Sequence, residues 1–149
     1  VNIGAYKIID LTHDVLTALG GDTIDSRLKA LLRQGGELPF PHPEKKHYTI
    51  VGSRSHGTPE LEAFVEQKRS EKGQVEFIAA GSSLKICLVA EGAADIYPRL
   101  GPTMEWDTAA GQAIAECAGA RVYTHPDRGE LRYNRPDQLN PFFIVERAD

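Results

Sequence analysis

The sequence predicts a layered α/β fold, a mixed β-sheet flanked by helices. Three observations carry that expectation. From Tyr48 onward, short β-branched and aromatic runs alternate with helix-length segments. The helical segments open on Thr, Ser or Asp and close at a glycine. Polar junctions rich in Gly and Ser lie between strand-like runs and the helices that follow them.

The first 47 residues are poorly specified. Leu28, Leu31 and Leu32 give a partial apolar stripe, so a helix is expected from Asp25 to Arg33, stopped by Gly35-Gly36. Asp22-Thr23-Ile24-Asp25-Ser26 reads as helix-capping polar sequence. Pro39, Pro41 and Pro43 make an extended linker, in which His42 and His47 read as solvated loop residues. Val1-Asn2-Ile3 has no initiator Met, and Gly4-Ala5-Tyr6-Lys7 reads like mid-domain sequence; the expectation is a piece of a longer protein.

The next 102 positions, 48–149, form the expected domain. Tyr48 to Gly52 reads as a short buried strand. Thr58-Pro59-Glu60 starts a helix with Thr at the N-cap, Pro at the first helical position and an acid in the first turn. Leu61, Phe64 and Val65 give it a buried face, and Gly73 ends it. Val75 to Ala79 is a strand. Gly81-Ser82-Ser83 opens a helix to about Glu91, closed by Gly92. Ala94 to Tyr97 is a third strand. Asp107 is expected to cap a helix from Thr108 to Ala118 that ends at Gly119, with Trp106 buried as an anchor for Asp107. Arg121 to Tyr123 and Phe142 to Val145 are the last strands.

Composition narrows the function classes. Hydrophobic residues are 41% and charged residues 26%, the balance of an ordinary globular domain. The formal charge is −4 with mixed signs, so no basic footprint points to polymeric nucleic acid. No apolar run approaches the roughly 20 residues of a membrane span, and the default compartment is the cytosol. Cys87 and Cys117 sit in apolar helical stretches and read as buried free thiols.

In open α/β sheets ligands gather at the carboxyl ends of strands, so the junctions are the candidate site. Ser82 and Ser83 stand where backbone N–H groups and the helix dipole favour an anion. Lys85 and Arg99 add positive charge, and a guanidinium can hold two phosphate oxygens together. These three, Ser82, Lys85 and Arg99, are expected to converge on one phosphate. His56 can donate to a phosphate or lie against a base. Asp107 is followed by Thr108-Ala109-Ala110-Gly111, small residues that leave room for a close approach, and a carboxylate oxygen suits Mg²⁺. The residues alone leave a blander account open: Ser82 and Asp107 as caps, Lys85 as a solvated charge, His56 as a loop residue.

The segment Trp106-Asp107-Thr108-Ala109-Ala110-Gly111, with Ala118-Gly119 closing the helix, resembles the second signature of the inositol-monophosphatase superfamily. Ala120 stands where that signature ends in a second Gly. Gly52 to His56, Gly81 to Lys85, Ala94 to Arg99, Gly101 to Asp107, Leu131 to Asn134 and Leu139-Asn140-Pro141 look like the 3'(2'),5'-bisphosphate nucleotidases of the CysQ type within it. The resemblance covers Tyr48 to Val145. It implies the C-terminal, substrate-side domain of that fold and a Mg²⁺-dependent phosphatase acting on the 3'-phosphate of 3'-phosphoadenosine 5'-phosphate, in sulfur metabolism. It further implies Asp107 as a metal ligand, and His56, Ser82, Lys85 and Arg99 as substrate contacts. The superfamily's other metal ligands, a glutamate and an Asp-Pro-x-Asp-Gly-Thr run, are absent from this sequence. The chain is therefore expected to need a missing N-terminal domain and to be inactive alone. The alternatives are an inositol monophosphatase and a non-catalytic nucleotide- or phosphate-binding module.

Overall fold

A computed structural model of the chain describes residues 4–8, 23–33, 35–41, 45–53 and 57–148. Before the main sheet, β1 (Tyr6–Lys7) pairs antiparallel with β2 (Gly36–Glu37), on either side of helix α1 (Ile24–Leu32) in the sequence. Thr23 caps α1: its hydroxyl accepts from the Ser26 N–H at 3.2 Å while Ser26 reaches back to the Thr23 N–H. The expected helix is present and Thr23 and Ser26 cap it; Asp22 lies outside the described residues. The small two-stranded sheet was not legible, because two-residue strands carry no periodicity.

The central sheet has five strands: β3 (Tyr48–Gly52), β4 (Val75–Ala79), β5 (Ile96–Arg99), β6 (Ala120–Thr124) and β7 (Phe143–Arg147). Their spatial order is β4-β3-β5-β7-β6. β3 runs parallel to β4 and β5, whereas β7 is antiparallel to β5 and β6. The sheet is mixed, as predicted.

Helix α2 (Pro59–Lys72) follows β3, α3 (Leu84–Ala90) follows β4, and α4 (Ala109–Cys117) follows β5. One sheet face buries Ile50, Ile96, Tyr123 and Ile144 against Phe64 of α2. The other buries Val51, Tyr97, Phe143 and Val145 against Ile86 and Val89 of α3 and Ala115 of α4. Fully burying one such aliphatic or aromatic side chain stabilises by about 1.5–3 kcal/mol.

Most boundaries match the sequence reading, with four corrections. The third strand starts at Ile96 rather than Ala94; Asp95, just before it, turns its carboxylate to Lys45 at 2.6 Å and to the Thr49 N–H at 2.7 Å. Of the face expected for α2 only Phe64 is buried; Leu61 and Val65 lie half-exposed at its flanks. Cys87 is half-buried and Cys117 exposed; both are free thiols, and Cys117 ends α4 beyond its packed face. Trp106 is 64% exposed instead of buried, because α4 packs through Gly111, Ala115 and Ala118 on its other side. His42 lies outside the described residues; His47 is half-buried.

Candidate active site

The carboxyl ends of β3, β4 and β5 open on one cavity of about 480 Å³. Ser53 and Thr58 line it after β3, Ser82, Ser83, Lys85 and Ile86 after β4, and Tyr97, Arg99 and Thr103 from β5 onward. Asp107 and Thr108 close it in front of α4. The sheet helps to open this end: β5 pairs with β3 only at Ile50 and Ile96, and Pro98 has no N–H to offer either neighbour.

Lys85 departs from a solvated charge. It is 4% exposed, and its ammonium donates to the Ser82 carbonyl at 2.8 Å and stands 5.3 Å from the centre of the Tyr97 ring. Burial, and secondly the Arg99 charge, hold its pKa below the usual lysine range. The contact secures Ser82, whose φ of +49° lies in the left-handed region, costing a residue with a side chain roughly 1–2 kcal/mol. Ser83, not Ser82, precedes α3, and it makes no side-chain cap.

Arg99 donates through Nη2 to the Pro102 carbonyl at 2.6 Å, while its Nε is buried without a partner among the described residues. Thr103 Oγ1 is likewise buried and unpartnered among the described residues. Burial pushes the Tyr97 phenol up, and the Arg99 side chain hydrogen-bonded to it pulls the other way. Two donor atoms without partners beside a lined cavity are groups a ligand can satisfy.

Asp107 is not the cap of α4. It ends a 3-10 turn, Glu105–Asp107, and its Oδ2 reaches back to the Met104 N–H at 3.2 Å. The turn is held from a distance: the Glu105 carboxylate accepts from the Asn134 N–H at 2.8 Å and the Arg135 N–H at 2.9 Å. The Asp107 side chain is exposed to the cavity, and its Oδ1 makes no hydrogen bond among the described residues. Among those residues no group of three His, Cys, Asp or Glu could enclose a metal. A single carboxylate oxygen still suits Mg²⁺, which keeps several waters and takes few protein ligands.

Ser82, Lys85, Arg99 and Asp107 thus share one cavity, while His56 lies outside the described residues. The sequence reading missed Tyr97, Thr103 and Thr108 as lining residues and Glu105 as a clamp. Thr103 stood in the Gly-Pro-Thr segment that carried the resemblance, without a role attached.

Residues 16–141 match the model of the inositol monophosphatase family. The chain belongs to that family. Among its relatives, the 3'(2'),5'-bisphosphate nucleotidase CysQ of Escherichia coli K12 is 47% identical over 96 residues, which are 64% of this chain and 37% of that protein. The crystal structure of CysQ from Bacteroides thetaiotaomicron, a bacterial member of the inositol monophosphatase family, superposes with a TM-score of 0.82 at 45% identity. That match covers 99% of this chain and 51% of the other. Inositol monophosphatase II of Staphylococcus aureus MSSA476 matches at a TM-score of 0.53 and 15% identity, over 74% of this chain and 39% of its own, and shares the fold. The family member described here therefore spans about a third to a half of the length of these relatives. Among its described residues no helix is long and apolar enough to cross a membrane.

Proposed function

We propose that the full-length protein is a Mg²⁺-dependent 3'(2'),5'-bisphosphate nucleotidase, releasing the 3'-phosphate of 3'-phosphoadenosine 5'-phosphate and leaving AMP. In this reading positions 48–149 are the substrate-side domain, and positions 1–47 lead to an N-terminal domain that supplies the remaining metal ligands. The enzyme serves nucleotide recycling in sulfur metabolism, in the cytoplasm. One observation carries the reading: Ser82, Lys85 and Arg99 line the same cavity as Asp107, so donors for a phosphate and a carboxylate for a cation face one space. Identity of 45–47% to proteins named CysQ supports the nucleotide as substrate.

The division of labour follows from charge. Arg99, whose Nε has no partner among the described residues, and the Ser82 loop hold a phosphate oxygen. Lys85 contributes charge from beneath the Ser82 loop. His56, between β3 and α2 in the sequence, adds a further contact to the nucleotide. Asp107 would hold a Mg²⁺ ion, which on binding supplies Lewis-acid activation of water and neutralises the leaving oxygen.

Replacement of Asp107 by Asn in the full-length protein tests this. Asn keeps an acceptor for the Met104 N–H, so thermal stability should stay near wild type. Loss of the charge should reduce hydrolysis of 3'-phosphoadenosine 5'-phosphate at least a hundredfold, about 2.7 kcal/mol in transition-state stabilisation. Near-normal turnover of the variant at low Mg²⁺ would contradict the assignment. Phosphate release from inositol 1-phosphate rather than the nucleotide would replace the substrate class, and release from neither would point to a binding module.

A further inference from the structure

The amide of Asn140, on the connection into β7, meets the turn that carries Asp107. The residue is 4% exposed. Its Nδ2 donates to the Met104 carbonyl at 2.9 Å and to Thr108 Oγ1 at 2.9 Å, and its backbone N–H donates to the Thr103 carbonyl at 2.9 Å. A carbonyl oxygen can only accept, so the Met104 contact fixes which end of the amide faces the turn.

The two acceptors bracket Asp107 in the chain. Met104 in turn holds Asp107 Oδ2 through its N–H, and the Thr108 hydroxyl donates to the Glu105 carbonyl at 3.1 Å. One side chain therefore closes the 104–108 turn across its two ends. Asn140 Oδ1 is buried with no partner among the described residues, an arrangement that costs stability. An apolar residue would avoid that cost, and Asp would offer no donor while adding a second negative charge. What Asn supplies here is two neutral donors aimed at the residues on either side of Asp107.

We propose that Asn140 is a positioning residue for Asp107, keeping its carboxylate at the cavity wall in the orientation that receives a divalent cation. The proposal rests on the reading of Asp107 as a cation ligand. Outer partners of metal ligands typically change metal affinity by about 10- to 100-fold when removed.

The test uses Mn²⁺ alone as the probe, with the full-length protein and no substrate. Mn²⁺ affinity is read by electron paramagnetic resonance and folding by thermal unfolding, for wild type, Asp107→Asn, Asn140→Ala and Thr108→Val. Asn140→Ala should weaken Mn²⁺ binding about tenfold in protein that is still folded. Thr108→Val, which at nearly constant volume removes one of the two Asn140 bonds together with the Thr108–Glu105 bond, should weaken it by a smaller factor. A merely structural role would lower the melting temperature and leave the affinity of the folded protein unchanged. Wild-type affinity in folded Asn140→Ala, with Asp107→Asn impaired, overturns the positioning role and leaves the reading of Asp107 standing. Should Asn140→Ala not fold, wild-type affinity in Thr108→Val overturns it equally. Wild-type affinity in Asp107→Asn overturns both.

Discussion

Lys85 meets two carbonyls and a tyrosine ring rather than a carboxylate, in a place where only 4% of it is exposed. Its lowered pKa has a sign that can be followed. The folded chain gives up this proton before the unfolded chain does, so the ionised form opposes folding. Stability from this group rises with pH up to the ordinary lysine value of about 10.4. An anion in the cavity acts in the opposite direction and favours the ionised form. Binding of AMP to the full-length protein should therefore weaken as pH rises through the alkaline range below about 10.4. Lys85→Met should remove most of that dependence and weaken binding at neutral pH roughly 10- to 100-fold through loss of the charge. Calorimetric titration across pH checks both, and an unchanged affinity in the variant would assign Lys85 to loop support alone. The residue types at this site were legible, since strand-to-helix junctions rich in Ser, Lys and Arg suggest an anion whatever the tertiary structure. The local geometry was not. Asp107 reads as a cap and Trp106 as an anchor because nothing near them in sequence announces Glu105 meeting residues 134 and 135, or Asn140 meeting Met104 and Thr108.

The contact between α3 and α4 places the site's two sides against each other. Gly111 permits it: a Cβ there would stand 2.9 Å from Ile86 Cδ1 and 3.3 Å from both Cβ and Cγ2 of the same residue. The Cδ1 end can swing aside, but Ile86 is 2% exposed and its branched stem cannot. Gly111→Val should destabilise by about 1–3 kcal/mol through overpacking, visible as a lowered melting temperature of the full-length protein. It should also shift Thr108 relative to Lys85 and weaken AMP binding. A variant as stable as wild type would mean that the two helices separate freely. The sequence made these elements easy to find. Thr58 accepts from the Leu61 N–H at 3.3 Å as a Thr-Pro-Glu start predicts, and Gly73 ends α2 with a φ of +78°. What escaped was pairing. Asp95 stands just before the third strand and bonds Thr49 of β3 twice, through its own N–H to the Thr49 carbonyl at 2.8 Å and through its carboxylate from the Thr49 N–H at 2.7 Å, a tie that no local pattern announces.

Across the whole molecule, the edge strand β6 is tied to its neighbour by more than the ladder. The Tyr123 hydroxyl donates to Glu146 Oε2 on β7 at 2.7 Å and accepts from Arg128 Nη1 at 3.2 Å. Burial, followed by the bond to and charge of Glu146, pushes the Tyr123 phenol from 10.0 up to about 12. A raised pKa gives stability that is complete below the unfolded value and disappears as pH climbs through the folded one. Unfolding free energy should then fall between pH 10.0 and about 12, by on the order of 2–3 kcal/mol. Tyr123→Phe should flatten that fall in urea titrations of the full-length protein, and an equally steep fall would assign it elsewhere. β7 occupies the interior of the sheet, between β5 and β6, although both of those strands precede it in the chain. On the ribosome this order has a cost. β5 and β6 emerge with the edges that will flank β7 still open, and Phe143, Ile144 and Val145, which fill the gap, are translated after both. Nascent chains halted before residue 143 would carry two unpaired strand edges, a template for wrong pairing that persists until Arg147 is made.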